Sequence, residues 1–392
     1  MSTVESNTPP SHHIRALDGI RALAILLVIP HNVDVLTRPY PAYDYPIAML
    51  MHAGWIGVQL FFVLSGFLIT GNLLATRGAA NYFATFFGRR ALRIMPLYFA
   101  VLLFSFTLAP AFFALPDTFL NTRSHQLWLW TFLSNWTTPF DQGVFGFSHF
   151  WSLAVEEQFY LVWPFIVLRC KPSSLLWVCA TAVVGALLAR GALFAAHLTE
   201  DVRHDAIYMF TITRMDALTL GAAGAALIRI PAAAEWLRHR GRQVAWAAAL
   251  TMLATILVTR GFGIYDVSTQ SVGYTLLSTA FALLVLWAAL PATGGLRAAQ
   301  RILESTPLRL VGRYSYGMYV FHLPLHVFVT GPLLHRLTSQ VTPGVALTYV
   351  MVMLLVTFAL AALSYELFER RFLDLKRYLV PAGPTARELS AQ

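Results

Sequence analysis

Residues 15–34 read Arg15-Ala-Leu-Asp18-Gly19-Ile-Arg21-Ala-Leu-Ala-Ile-Leu-Leu-Val-Ile-Pro30-His31-Asn32-Val-Asp34. The centre of this stretch is apolar enough to enter a bilayer. A helix rising ~1.5 Å per residue, however, meets Pro30, His31, Asn32 and Asp34 before it has crossed ~30 Å of hydrocarbon. Polar groups at that depth are costly, so they face a protein interior or a wet cavity. The stretch is therefore one span of a helix bundle, and His31 is a candidate functional group; the competing reading is a histidine packed against a neighbouring helix. Asp18-Gly19 suits a helix start, because a short carboxylate satisfies free backbone N–H groups.

Composition extends this reading to the whole chain. Of 392 residues, 57% are hydrophobic and 12% are charged, and mean hydropathy is +0.61. Soluble domains carry about twice that share of charge, so a polytopic, all-α membrane bundle is expected. The net charge of +9 then marks cytoplasmic loops rather than nucleic-acid binding. Cys170 and Cys179 are the two cysteines, and they imply neither a disulfide framework nor a metal centre. The first thirteen residues lack a basic leader region, so no cleavable signal is expected.

Ten apolar runs are long enough to be spans: 20–38, 53–76, 94–115, 150–168, 174–196, 207–228, 243–260, 272–290, 310–333 and 344–367. The segment 125–136 is rich in Leu and Trp but short, which suits an interfacial or re-entrant piece. With the N-terminus in the cytoplasm, the inner connections and the two ends hold 21 of the 28 Lys and Arg. This bias predicts both termini inside, with tails over 1–14 and 373–392 flanking one transmembrane domain over 15–372. Neither an internal repeat nor an appended soluble domain is evident. Helix rise then places His31, Glu156, Glu157, Arg214, Asp216 and His322 at a common outer level. Mutual neutralisation there makes either a reaction site or a structural ion network.

A second polar group is basic and sits at the inner face. Arg89-Arg90-Ala-Leu-Arg93 puts guanidiniums three or four residues apart on one helix face. That fork suits phosphate, and positive-inside charge or anionic lipid accounts for it equally well. Ser65-Gly66 in the second predicted span allows close approach of a helix or an acyl chain. Ser315, Tyr319 and His322 share one helical face. Trp128, Trp130, Trp136, Phe140, Phe145, Phe147 and His149 surround an outer loop; they suit either sugar rings or an interfacial aromatic belt.

Several of these stretches, in order, resemble the motifs of the membrane acyltransferase-3 family. The opening Arg15, Leu17-Asp18-Gly19, Arg21-Ala22 and His31 is similar to the family's first-span signature. Arg90-x-x-Arg93 resembles its Arg-x-x-Arg motif, and Phe61-Phe62-Val-Leu-Ser65-Gly66-Phe67 its Phe-Phe-x-x-Ser-Gly-Phe pattern. His149-Phe-Trp151-Ser152-Leu153 with Glu156-Glu157-Gln158-Phe159-Tyr160 is the most specific match. Arg214-Met-Asp216, Gly312 to His322, and Glu369-Arg370-Arg371-Phe372 follow. Two departures stand out. Arg21 and His31 are ten positions apart where the family has eleven, and Arg371 replaces a proline.

The resemblance implies a membrane O-acyltransferase, moving an acyl group such as acetyl from acyl-coenzyme A to a hydroxyl of a cell-surface polysaccharide or lipid-linked sugar. It implies His31 as general base or acyl carrier, with Asp34, Glu156 or Glu157 orienting the ring. It assigns Arg15, Arg21, Arg89, Arg90 and Arg93 to the donor, and Ser65, Ser152, Arg214, Asp216, Ser315, Tyr319 and His322 to the cavity. Acyl-coenzyme A enters as donor substrate; neither a bound cofactor nor a metal is expected, and the plasma (inner) membrane is the implied location. Competing readings are a transporter or flippase for a lipid-linked sugar, an acyltransferase acting on a small-molecule glycoside, and a structural partner in polysaccharide synthesis.

Overall fold

The computed structural model describes residues 14–33, 35, 46–112, 117–140, 144–291, 296–338 and 340–381. These form helices and connecting turns, with no strand among them. The long helices are α1 (Arg15–Asn32), α2 (Ile56–Ala75), α3 (Tyr82–Leu103), α4 (Phe150–Arg169), α5 (Pro172–Ala195), α6 (Thr211–Leu227), α7 (Gly241–Thr259), α8 (Tyr274–Ala289), α9 (Thr306–Leu325) and α10 (Pro343–Ser364). One falls on each predicted span.

Among the described residues seven helical segments are long and apolar enough to cross a membrane, and an eighth arises if the pair bent by 90° after Leu227 is one span. The chain is a multi-pass membrane protein. α1 and α4 are not among the seven, for a physical reason. Arg15, Asp18 and Arg21 open α1 and His31-Asn32 close it, while Glu156-Glu157-Gln158 interrupt α4. Such helices are sheltered by neighbours rather than by lipid. Ile20, Ala24, Ile25, Val28 and Ile29 of α1 and Phe150, Ala154 and Val155 of α4 are fully buried. By contrast α5, α7 and α10 turn apolar side chains outward: Trp177 is 77% exposed, Leu257 70% and Leu355 65%. In a bilayer those side chains face lipid.

Two close approaches fix the interior. A methyl at Gly66 would stand 1.8 Å from the carbonyl oxygen of Leu218, and one at Gly221 1.9 Å from that of Val63. Only glycine lets the backbones of α2 and α6 meet there. The side chain of Gln59 then reaches from α2 to α8, donating to the Tyr274 carbonyl at 3.2 Å and to Ser278.

Asp18 is not the helix cap expected from sequence. α1 begins at Arg15 after Ile14, and Asp18 lies in its first turn, 3.4 Å from Arg21. A carboxylate there still favours the helix through the macrodipole. Pro30 lies inside the helix, which continues to Asn32. The short segment at 125–136 forms two single turns, Leu127–Trp130 and Ser134–Thr137. The Leu129 carbonyl accepts from the Tyr98 hydroxyl at 2.8 Å, and both residues are fully buried. Tyr98 stands about 24 Å along α3 from Tyr82, so this piece dips into the bundle, where protein rather than lipid satisfies its backbone.

Candidate active site

One cavity gathers residues from five helices. Arg21 comes from α1, Ser65 from α2, Arg90 and Arg93 from α3, Ser152, Glu156 and Tyr160 from α4, and Ser315 and Tyr319 from α9. Its volume is about 110 Å³. The three α4 residues are spaced four apart, so they form one stripe down the helix. Arg90 and Arg93 are one turn apart and share the facing side of α3.

The cavity pairs cations with a hydroxyl-buttressed carboxylate. Tyr160 donates to Glu156 Oε2 at 3.0 Å and bonds Ser65 on its other side. The Arg90 guanidinium lies over the Tyr160 ring, 5.3 Å from its centre. Arg90 and Arg93 make no hydrogen bond or ion pair to the described residues. Arg21 is paired with Asp18 at 3.4 Å, so two guanidiniums without an ion pair face one cavity carboxylate, and that balance suits an anionic ligand.

A second polar cluster lies further along the same helices. The Tyr319 hydroxyl donates to the His149 carbonyl at 2.7 Å and meets the Ser152 hydroxyl at 2.5 Å. The Tyr319 carbonyl accepts from His322 Nδ1 at 2.6 Å, and Asn32 Nδ2 donates to His322 Nε2 at 2.9 Å. His322 is thereby held as the Nδ1–H tautomer with both nitrogens engaged. His31 Nδ1 donates to the Met51 carbonyl at 2.6 Å, which leaves Nε2 as the acceptor nitrogen of the neutral ring. His31 lies about 15 Å along α1 from Arg21, and His322 about 10 Å along α9 from Ser315. Asn32, His322, Tyr319 and Ser152 form a continuous chain of contacts between the two levels.

The structure redistributes the residues expected to act together. Arg21, Arg90, Arg93, Glu156, Ser65, Ser152, Ser315 and Tyr319 do share the cavity. Glu156 was expected at one level with His31, but it stands with Arg21, Arg90 and Arg93. The dipping loop explains the difference: Gln158 of α4 donates to the Phe132 carbonyl and to Asn135 of that loop, both at 2.8 Å. The loop covers this part of α4, so a count of residues from the helix start does not fix the partners of its acids. Glu157 points away from the cavity, with its buried Oε1 unpaired among the described residues. Adjacent residues on a helix cannot share a face.

Arg214 and Asp216 do not line the cavity. Asp216 pairs with Arg190 of α5 at 2.9 Å, both side chains fully buried. Arg214, two residues earlier and on another face, is enclosed by aromatic rings. Its guanidinium carbon stands 4.2 Å from the centre of Tyr274, 5.1 Å from Tyr208, 5.8 Å from Trp151 and 5.9 Å from Phe62. Arg15 is exposed, and Arg89 donates through Nε to the Leu379 carbonyl at 2.7 Å. Asp34 lies outside the described residues. The aromatic loop mostly packs inward: Phe147 is fully buried, and Trp136 donates to Gln158 at 3.0 Å.

Tyr160 and Asn32 carry no expected role in the sequence, and His149 is expected only among the aromatic groups of the outer loop. The four-residue step from Glu156 to Tyr160 was a readable signal for the first. Nothing local pairs Asn32 with a histidine 290 positions away. His149 stacks edge-on to His322 at 4.8 Å, and its buried ring nitrogens have no partner among the described residues.

A model described as an acyltransferase domain matches residues 14–364. The O-acetyltransferase OatA of Staphylococcus aureus is 27% identical over 383 residues, covering 91% of this chain and 57% of the relative. The peptidoglycan O-acetyltransferase OatA of Listeria monocytogenes is 27% identical, covering 91% and 55% respectively. The putative peptidoglycan O-acetyltransferase YrhL of Bacillus subtilis is 28% identical, covering 92% and 55%. The chain spans a little over half the length of these curated relatives. No solved structure matches it. With a match running from the first residues of α1 to the end of α10, the chain belongs to the acyltransferase-3 family.

Proposed function

We propose that this protein is a multi-pass O-acyltransferase of the plasma (inner) membrane, with both termini cytoplasmic and ten spans. It moves an acyl group, acetyl first, from acyl-coenzyme A to a hydroxyl of a cell-surface glycan. The observation that carries this reading is the cavity in which Arg90 and Arg93, neither ion-paired to a described residue, converge with Arg21 beside Glu156. The relatives' names supply the acceptor class: two of them are called peptidoglycan O-acetyltransferases.

In this reading the arginines hold the donor's phosphates, and its pantetheine arm runs along the cavity past Ser65 and Ser152. His31, its tautomer set by the Met51 carbonyl, takes the proton from the acceptor hydroxyl through Nε2. The hydroxyl oxygen then attacks the thioester carbonyl, the C–S bond breaks, and the thiol leaves with a proton. The chain from Asn32 to Ser152 holds the two levels in register. His322 is a positioning residue, since Asn32 already occupies the nitrogen that would accept a proton. A flippase reading has less to stand on, because the relatives that match nearly the whole chain carry transferase names.

The test is transfer from labelled acetyl-coenzyme A to glycan fragments by purified protein. His31→Ala and His31→Gln should each lose ~10²–10⁴-fold in rate at normal expression, and His322→Gln far less. Robust transfer by His31→Gln beside an inactive His322→Gln would reverse the assignment.

A further inference from the structure

The segment that follows α10 returns along the arginine helix. After a turn at Arg370–Asp374 and a tight turn at Leu375–Tyr378, residues 379 and 380 lie against the start of α3. Arg89 donates to the Leu379 carbonyl at 2.7 Å, and Asn81 to the Val380 carbonyl at 2.8 Å. A methyl at Gly88 would stand 2.7 Å from a terminal carbon of Leu379, so the strap sits directly on the helix. Three separate attachments thus hold this strap where α3 presents Arg90 and Arg93 to the cavity.

The strap brings a fourth cation. The half-buried Lys376 ammonium lies in the field of Arg93, Arg90 and Arg89, and makes no hydrogen bond or ion pair to a described residue. Glu369 on this stretch is bonded to Ser364 at 3.1 Å and feels Arg93, and the exposed Asp374 makes no ion pair to a described residue. Gathering cations without a matching anion is unfavourable unless a ligand supplies the charge. We propose that Lys376 is a donor-binding residue: with Arg90 and Arg93 it holds a phosphate of the coenzyme A nucleotide, and Arg89 contributes by fixing the strap that carries it. This rests on the acyl-coenzyme A reading above. The strap falls beyond the residues at which the family match ends.

The experiment uses the full chain in nanodiscs and measures binding of coenzyme A and of pantetheine, which lacks the phosphates. Lys376→Gln should weaken coenzyme A about tenfold or more, the loss of one charge-assisted phosphate contact. Pantetheine affinity and the thermal midpoint should stay unchanged, and Lys376→Arg should bind coenzyme A nearly as the parent does. Equal coenzyme A affinity in the parent and in Lys376→Gln overturns the proposal while leaving the donor reading intact. A parent that prefers coenzyme A no more than pantetheine overturns the donor reading itself. The same proteins are compared in neutral nanodiscs and in nanodiscs containing phosphatidylglycerol. If Lys376→Gln loses only a stabilisation by phosphatidylglycerol and keeps coenzyme A binding, Lys376 serves a lipid headgroup and the proposal fails.

Discussion

Asp216→Asn separates a structural ion pair from a working carboxylate. In sequence Asp216 stands among candidate site residues, yet its carboxylate is wholly occupied by the protein. Oδ2 accepts from Arg190 at 2.9 Å and from Thr275 at 2.6 Å, and Oδ1 accepts from the Ala217 amide at 2.9 Å. Arg190 also donates to the carbonyls of Thr213 at 2.7 Å and Ser271 at 3.1 Å. The amide keeps the shape and removes the charge. It leaves the Arg190 guanidinium buried without a counter-charge, and the Arg214 cation nearby loses the same support. Removing one partner of a buried pair costs about 3–5 kcal/mol. The near-isosteric change should fall at the low end, about 3 kcal/mol, because the carbonyl partners of Arg190 remain. Adding Arg190→Met should recover much of the loss, since replacing both ions by apolar packing is often neutral. The assay is the thermal midpoint in detergent, paired with transfer activity per folded molecule well below both midpoints. Asp216→Asn should be less stable and active. An unchanged midpoint with lost activity would make Asp216 a working residue, and a double variant no more stable than the single one would remove the pair as the source.

Two further outcomes test the site and the topology. Glu156→Gln should sharply lower transfer, whereas Glu157→Gln should keep it, because only Glu156 lines the cavity; parallel activity assays at matched expression decide, and the opposite ranking would move the working acid out of the cavity. Reporters fused at either end should read cytoplasmic, and one inserted between Phe140 and Val144 should read outside. An external C-terminus would break the ten-span topology and leave the proposed Lys376 site on the wrong side for a cytoplasmic donor.

What the sequence discloses here divides along a physical line. Each apolar run falls on a long helix, because apolar burial is a local demand, and seven helical segments among the described residues are long and apolar enough to cross a membrane. The arginine fork was likewise legible, since i, i+3 and i, i+4 neighbours share a face in any helix. Depth was not. Counting residues from an assumed surface put Glu156 beside His31, because nothing in the residues 125–140 says that they fold into the bundle and roof α4. Partnership was not legible either. Arg214 and Asp216 look like a pair in sequence, but two residues apart they diverge, one toward four aromatic rings and the other toward Arg190. Arg190 itself lies in an apolar run, where the sequence names no partner for it.

The same line separates the two histidines. In sequence His31 and His322 are each a polar residue high in a predicted span, and the family resemblance alone gives them different roles. Their environments distinguish them: the buried His322 has both nitrogens bonded, to Tyr319 and Asn32, while half-buried His31 is oriented through Nδ1 by a backbone carbonyl. A base needs a fixed tautomer and an acceptor nitrogen aimed at its substrate. His31 has the first, and His322 has its acceptor nitrogen committed to an amide. That asymmetry comes from Asn32, one residue along α1 from the proposed base. Because α1 continues through Pro30 to Asn32, His31 and Asn32 project from successive positions of one helix toward different partners. A single turn of α1 thereby holds both the proposed base and the group that occupies its rival.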